Sequence, residues 1–240
     1  MVETSARLEE LRIPLPEPVH GLQHVSAVMG IPRWWPTGAR VGVVLAHDLG
    51  GSYQDPLLAH LQAQLTERRC LTLRFNFPFA EAGKRRADPP QTLRRVMRSA
   101  LAALGRDPSA APARLFVGGM GLGAAAAADL SAARVRVDGL CFLGFPLHPP
   151  DRPDLAHAEP LSRVVAPMLF VQGARDRRCD LAALKQRLAR VGAPTALHVC
   201  READHHFHVL KKSGRTDAEV RDEVLAVVET WIHKTVGTAI

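Results

Sequence analysis

The chain predicts an α/β fold: a mostly parallel sheet with helices on both faces. Three observations predict it. Continuous apolar runs such as VGVVLAH (41–47) and PMLFVQG (167–173) read as strands buried on both faces. Segments with helical apolar spacing separate them. At the centre, RLFVGGMGLGAAAAADL (114–130) reads as strand, sharp glycine turn and helix. Strands alternating with helices imply parallel pairing, with ligands at the carboxyl ends of the strands.

The elements follow in order. Residues 10–30 alternate loosely around Pro16 and Pro18 and predict two antiparallel edge strands. Trp34 and Trp35 stand before a turn, one expected in the core and one partly exposed. Strand 41–47 opens into a glycine loop, DLGGS, and a helix over 54–69 places Leu57, Leu58, Leu61 and Leu65 on one side. CLTLRFNFP (70–78) is a strand stopped by Pro78, and 80–90 is a charged surface loop. A helix over 90–105 carries Leu93, Val96, Met97, Ala100 and Leu104 on one face. Strands follow at 137–146 and 167–176, separated by a proline-rich loop at 148–160. A helix (180–191), a strand (TALHVC), a histidine-rich loop (201–215) and a helix (216–235) complete one domain over 1–240, with edge strands in 1–38 and the core in 40–235.

Composition narrows the function. With 240 residues, 47% hydrophobic and 23% charged, the chain can bury a substantial core. The formal charge is +7, but the basic residues are scattered and aromatics make up only 5%, so a base-stacking nucleic-acid surface is not expected. No apolar run approaches the length of a membrane span. The first 18 residues carry acids and lack an apolar stretch, so no signal peptide is expected. Cys70, Cys141, Cys179 and Cys200 show no C-x-x-C spacing and read as reduced thiols of a cytoplasmic protein.

The chemistry gathers at one rim. Gly119, Gly121 and Gly123 alternate as the glycines and central residue of a G-x-S-x-G nucleophile elbow do, with Gly121 where the serine would stand. Asp176 ends a strand in QGARD, and ADHHFH (203–208) follows the next strand. Elbow, acid and histidine therefore come in the order 121, 176, 205.

Four motifs carry a family resemblance: LAHDLGGS (45–52), VGGMGLG (117–123), GFPLHPPDRPD (144–154) with FVQGARD (170–176), and ADHHF (203–207). On these, residues 40–235 resemble the α/β-hydrolase superfamily, near the dienelactone-hydrolase-like enzymes. More closely they resemble the branch holding the testis-expressed hydrolase-like proteins and the related chromatin-complex subunit. The resemblance implies the α/β-hydrolase fold, Asp176 as triad acid and His205 as triad base. It also implies the Leu49 and Leu122 amides as oxyanion donors. Two positions depart from the pattern. Gly121 replaces the serine, and the H-G-x-G loop reads His47-Asp48-Leu49-Gly50, so a carboxylate stands at the oxyanion rim.

The expected function is therefore a degenerate hydrolase, non-hydrolytic or strongly impaired, kept to bind a small molecule or a protein partner, with no membrane role and no cofactor. The alternative is a weak carboxylic-ester hydrolase in which Asp176 and His205 activate a water in the space left at Gly121. No substitute nucleophile stands out: Ser52 lies on the oxyanion loop and Cys141 inside a strand. Two further readings are a dinucleotide fingerprint at 119–124, which lacks a following ribose acid, and a metal site from Asp204, His205, His206 and His208, whose spacing is that of a loop.

Overall fold

The structure is a computed structural model that describes residues 6–33, 40–106, 111–150, 152, 154 and 159–237. Eight strands form one sheet in the order β1-β2-β4-β3-β5-β6-β7-β8. β1 (Arg7–Val19) and β2 (Leu22–Ile31) pair antiparallel, and β2 joins β4 (Leu71–Phe75) antiparallel. From β4 onward every pairing is parallel, through β3 (Val41–Ala46), β5 (Arg114–Met120), β6 (Gly139–Leu143), β7 (Met168–Gly173) and β8 (Thr195–Cys200). Of this pair only β1 is an edge, the sheet's other edge being β8; β2 lies inside the sheet, a refinement of the expected pair of edge strands. The edge position lets β1 carry Pro14, Pro16 and Pro18, with its register broken between Pro14 and Val19.

Both faces are covered, as the apolar runs predict. On one face α3 (Pro90–Leu104), α4 (Leu122–Ala132) and α5 (Leu181–Leu188) pack on Val44, Ala46, Val117, Phe142 and Phe170. On the other, α1 (Pro56–Glu67) and α6 (Asp217–Val236) pack on Val43, Leu45, Phe116, Leu143 and Val171. Alternate residues of β3 thus feed opposite cores. Asp55 caps α1 by accepting from the Leu57 and Leu58 amides, and Thr216 with Glu219 forms a capping box on α6.

Two boundaries differ from expectation. β4 ends at Phe75, and Pro78 opens a one-turn helix, α2 (Pro78–Glu81), because proline at a first helical position loses no needed amide. β5 runs on through Gly118 and Gly119 to Met120, leaving Gly121 alone as the hinge into α4. Trp34, Trp35, Asp151 and Pro153 lie outside the described residues.

Close approach fixes this hinge. A Cβ on Gly123 would overlap the Ala46 carbonyl, so α4 starts directly against β3. Gly123→Ala is therefore expected to destabilise the fold by about 1–3 kcal/mol, despite alanine's helix propensity, as read by urea unfolding.

Candidate active site

The site is built by four loops at the carboxyl ends of β3, β5, β7 and β8. After β3, His47 is fully buried and holds the rim: its Nδ1 lies 2.7 Å from the Asp48 carbonyl, and its Nε2 accepts from the Phe77 amide at 3.0 Å. These partners set the tautomer, with the proton on Nδ1. The Gly51 amide also donates to the Asp48 carbonyl, at 3.1 Å, closing the turn.

After β5, Gly121 has φ 52° and ψ −112°. This is the strained strand-to-helix elbow, a conformation costing other residues roughly 1–3 kcal/mol. Its amide donates to the Leu143 carbonyl at 3.0 Å, tying the elbow to β6.

After β7, the Asp176 carboxylate is fixed at both oxygens. Oδ1 accepts from the Arg178 amide at 2.8 Å and Oδ2 meets His205 Nδ1 at 2.8 Å. After β8, Asp204 Oδ1 accepts from the His206 and His208 amides at 2.9 and 3.0 Å, and buried Phe207 anchors the loop in the core. That loop presents His205, and the expected acid and histidine do meet.

The unexpected residue is Asp48. Its side chain is 1% exposed and turns into the elbow. Oδ1 accepts from the Leu122 amide at 2.6 Å, and Oδ2 lies 3.2 Å from His205 Nε2 and 3.5 Å from an Arg178 guanidinium nitrogen. One of the two expected oxyanion donors, the Leu122 amide, is therefore engaged by a carboxylate of the chain itself. A Cβ on Gly121 would coincide with the Asp48 carboxyl group. The aspartate thus fills the volume of the absent serine side chain.

This corrects the expected space for a water at Gly121: Asp48 occupies it and also engages His205 Nε2, the nitrogen that would have activated that water.

The electrostatics follow from burial against pairing. Burial alone would lower the His205 pKa. Hydrogen bonds and charge from Asp176 and Asp48 outweigh burial and raise it to about 9. Burial would raise the Asp48 carboxyl, but hydrogen bonds from His205 and the Leu122 amide, with the His205 charge, hold it below its usual range. At neutral pH the centre is an imidazolium between two carboxylates.

His148 bridges the neighbouring loops. Its Nε2 accepts from the Asp180 amide at 2.9 Å, and its own amide donates to the Arg178 carbonyl at 3.1 Å. Beside Asp48 and Arg178 lies a cleft of about 390 Å³ whose walls include Leu49, Ala125, Phe145, Leu147 and Pro149.

The two remaining readings lose their geometry. A phosphate at the α4 N-terminus would meet the Asp48 carboxylate. In the histidine loop, His205 turns to Asp176 and Asp48, whereas His208 pairs with Asp217 at 2.7 Å, so the rings do not converge on a metal.

Comparison with known proteins agrees with this fold. A family profile described as an alpha/beta hydrolase domain matches residues 39–233. A dienelactone hydrolase from Anabaena variabilis superposes with a TM-score of 0.69 at 21% identity, covering 92% of this chain and 96% of that one. An alpha-beta serine hydrolase homologue from Coxiella burnetii gives 0.69 at 20% identity, covering 91% and 96%. An esterase domain from a Rhodothermus marinus protein gives 0.69 at 14%, covering 96% and 99%.

The raised His205 pKa has a stability consequence. A group whose folded pKa exceeds its unfolded value contributes fully below the unfolded value, and the contribution fades as pH rises through the folded value. The window therefore runs from about pH 6.5 to about 9, and the contribution is on the order of 3 kcal/mol. NMR of the imidazole nitrogens is expected to show His205 still protonated at pH 7.5, with Asp48→Asn lowering its midpoint. An unshifted midpoint in that variant contradicts the arrangement.

Proposed function

The chain belongs to the alpha/beta hydrolase domain family, and on that premise we propose that it is a member without serine-ester hydrolysis, retained to bind a small apolar ligand. One observation carries the reading: the Asp48 carboxylate lies in the serine's volume and accepts the Leu122 amide at 2.6 Å. Acyl transfer needs a nucleophile at the elbow and open donors for the developing oxyanion. Here position 121 carries no side chain and the Leu122 amide holds an internal anion, which supports this reading. A charged His205, pinned by two carboxylates, is also unsuited to act as a general base at neutral pH.

The cleft beside Asp48 supports the binding half of the proposal. Its apolar walls, with Arg178 among the lining residues, suit a small apolar molecule with a polar group. Within the family we place the chain in the branch with the testis-expressed hydrolase-like proteins, on the motifs GFPLHPP and QGARD. Its four free, buried cysteines fit a reducing cytoplasm.

The retained Asp176–His205 pair, at 2.8 Å, favours the second reading of weak hydrolysis. Hydrolysis of a short-chain aryl ester and fluorophosphonate labelling separate the two. The native protein and Gly121→Ser are both expected to be silent, the latter because its serine collides with Asp48. Asp48→Gly with Gly121→Ser is expected to gain turnover and label, and His205→Ala in that background to lose both. Ester turnover by the native protein that His205→Ala abolishes overturns the proposal in favour of weak hydrolysis.

A further inference from the structure

A second polar cluster lies on the far side of the sheet, on the flank formed by β8 and α6. His198 and Cys200 are two residues apart on β8 and so share one strand face. Glu223, on the second turn of α6, faces them. A histidine nitrogen, the thiol sulfur and a carboxylate oxygen of this trio lie within 4.8 Å of one another. His198 Nε2 is 2.6 Å from Glu223 Oε1, and Arg215 holds the other carboxylate oxygen while also donating to the Arg201 carbonyl at 3.2 Å. Cys200 is fully buried, whereas the His198 and Glu223 side chains are 35% and 24% exposed.

These are the three donor types that zinc takes together. In a tetrahedral zinc site, bonds of 2.0–2.3 Å place neighbouring donors about 3.5 Å apart. Side-chain shifts of about an ångström bring this trio to that spacing. A purely structural role, pinning α6 to the edge strand, needs the His198–Glu223–Arg215 contacts alone. In that reading the Cys200 thiol is one more hydrogen-bond partner of Glu223; what it does not require is a soft sulfur, a ring nitrogen and a carboxylate oxygen gathered within 4.8 Å of one another.

We propose that His198, Cys200 and Glu223 form a binding site for a soft divalent cation of the zinc class. The ion takes the place of the hydrogen bond between His198 Nε2 and Glu223 Oε1. The Cys200 thiol releases its proton to solvent on forming the metal–sulfur bond, and neutral His198 supplies its Nε2 lone pair. Thiolate and carboxylate together match the charge of the ion. Arg215 stays on Oε2 and orients the ligating carboxylate, as outer-shell partners commonly do. The exposed side of the trio leaves the fourth position to water. The cluster shares no residue with the Asp48 centre, so the two proposals stand or fall separately.

Cadmium titration of the untagged, reduced full chain tests this through the thiolate-to-metal charge-transfer absorption. The band is expected to saturate at one equivalent, to be displaced by zinc, and to vanish in Cys200→Ser. Loss of a second-shell partner commonly costs about 10- to 100-fold in affinity, so His198→Gln and Glu223→Gln are each expected to weaken binding by more than that. Absence of the band in folded protein overturns the site, as does a band that survives Cys200→Ser or is unmoved by His198→Gln. Should Cys200→Ser fail to fold, His198→Gln, at a partly exposed ring, decides the matter alone.

Discussion

The Asp48 carboxylate is the constraint on which the rim of the sheet depends. Four loops, distant in sequence, meet there: Asp48 follows β3, Leu122 opens α4, Arg178 follows β7, and His205 follows β8. Each of the other three brings a donor or a positive charge. Without an anion at their centre, the Leu122 amide and the Nε2 of His205 would each lose this partner, and an unsatisfied buried polar group costs about 1–3 kcal/mol. An oxyanion hole is a preorganised site for negative charge. In the proposed reading of this chain, the Leu122 amide instead faces a charge that is covalently tethered to the loop after β3.

Glycine at 121 is the other half of the same arrangement. The elbow backbone, at φ 52°, keeps the shape that presents a side chain above the sheet, but no side chain is present. The volume released there is the volume Asp48 takes. The two positions are thus coupled: the space a side chain would take at Gly121 is filled from a position 73 residues earlier. His205 and Asp176 keep a hydrogen-bonded geometry, yet the imidazole is recruited into an ion-paired centre.

Much of this was legible in the sequence. Apolar runs with alternating faces, as in 41–47, identify strands because a sheet covered on both sides requires apolar residues throughout. The order of elbow, acid and histidine placed Asp176 and His205 together because each follows a strand of one parallel sheet. Element ends were less legible. Gly118 and Gly119 read as a turn but continue β5, since their absent side chains serve close strand approach rather than bending. The direction of the Asp48 side chain was not legible, because it is set by donors on three other loops. The coincidence of Gly121 and Asp48 was the available signal. The roles of His148 and Arg178 rest on contacts across 32 and 130 residues, and no local pattern announces such pairs. The His198–Cys200–Glu223 cluster is likewise divided between a strand and the following helix.

The most direct test is a double-mutant cycle on folding stability, using Gly121→Ser and Asp48→Gly by urea unfolding. If Asp48 occupies the serine's space, Gly121→Ser is strongly destabilising in the native background. In the Asp48→Gly background it costs only the backbone strain, giving a coupling of at least about 1 kcal/mol. An equal cost of Gly121→Ser in both backgrounds would mean that Asp48 does not sit in the elbow, and the account of a site closed by its own carboxylate would fail.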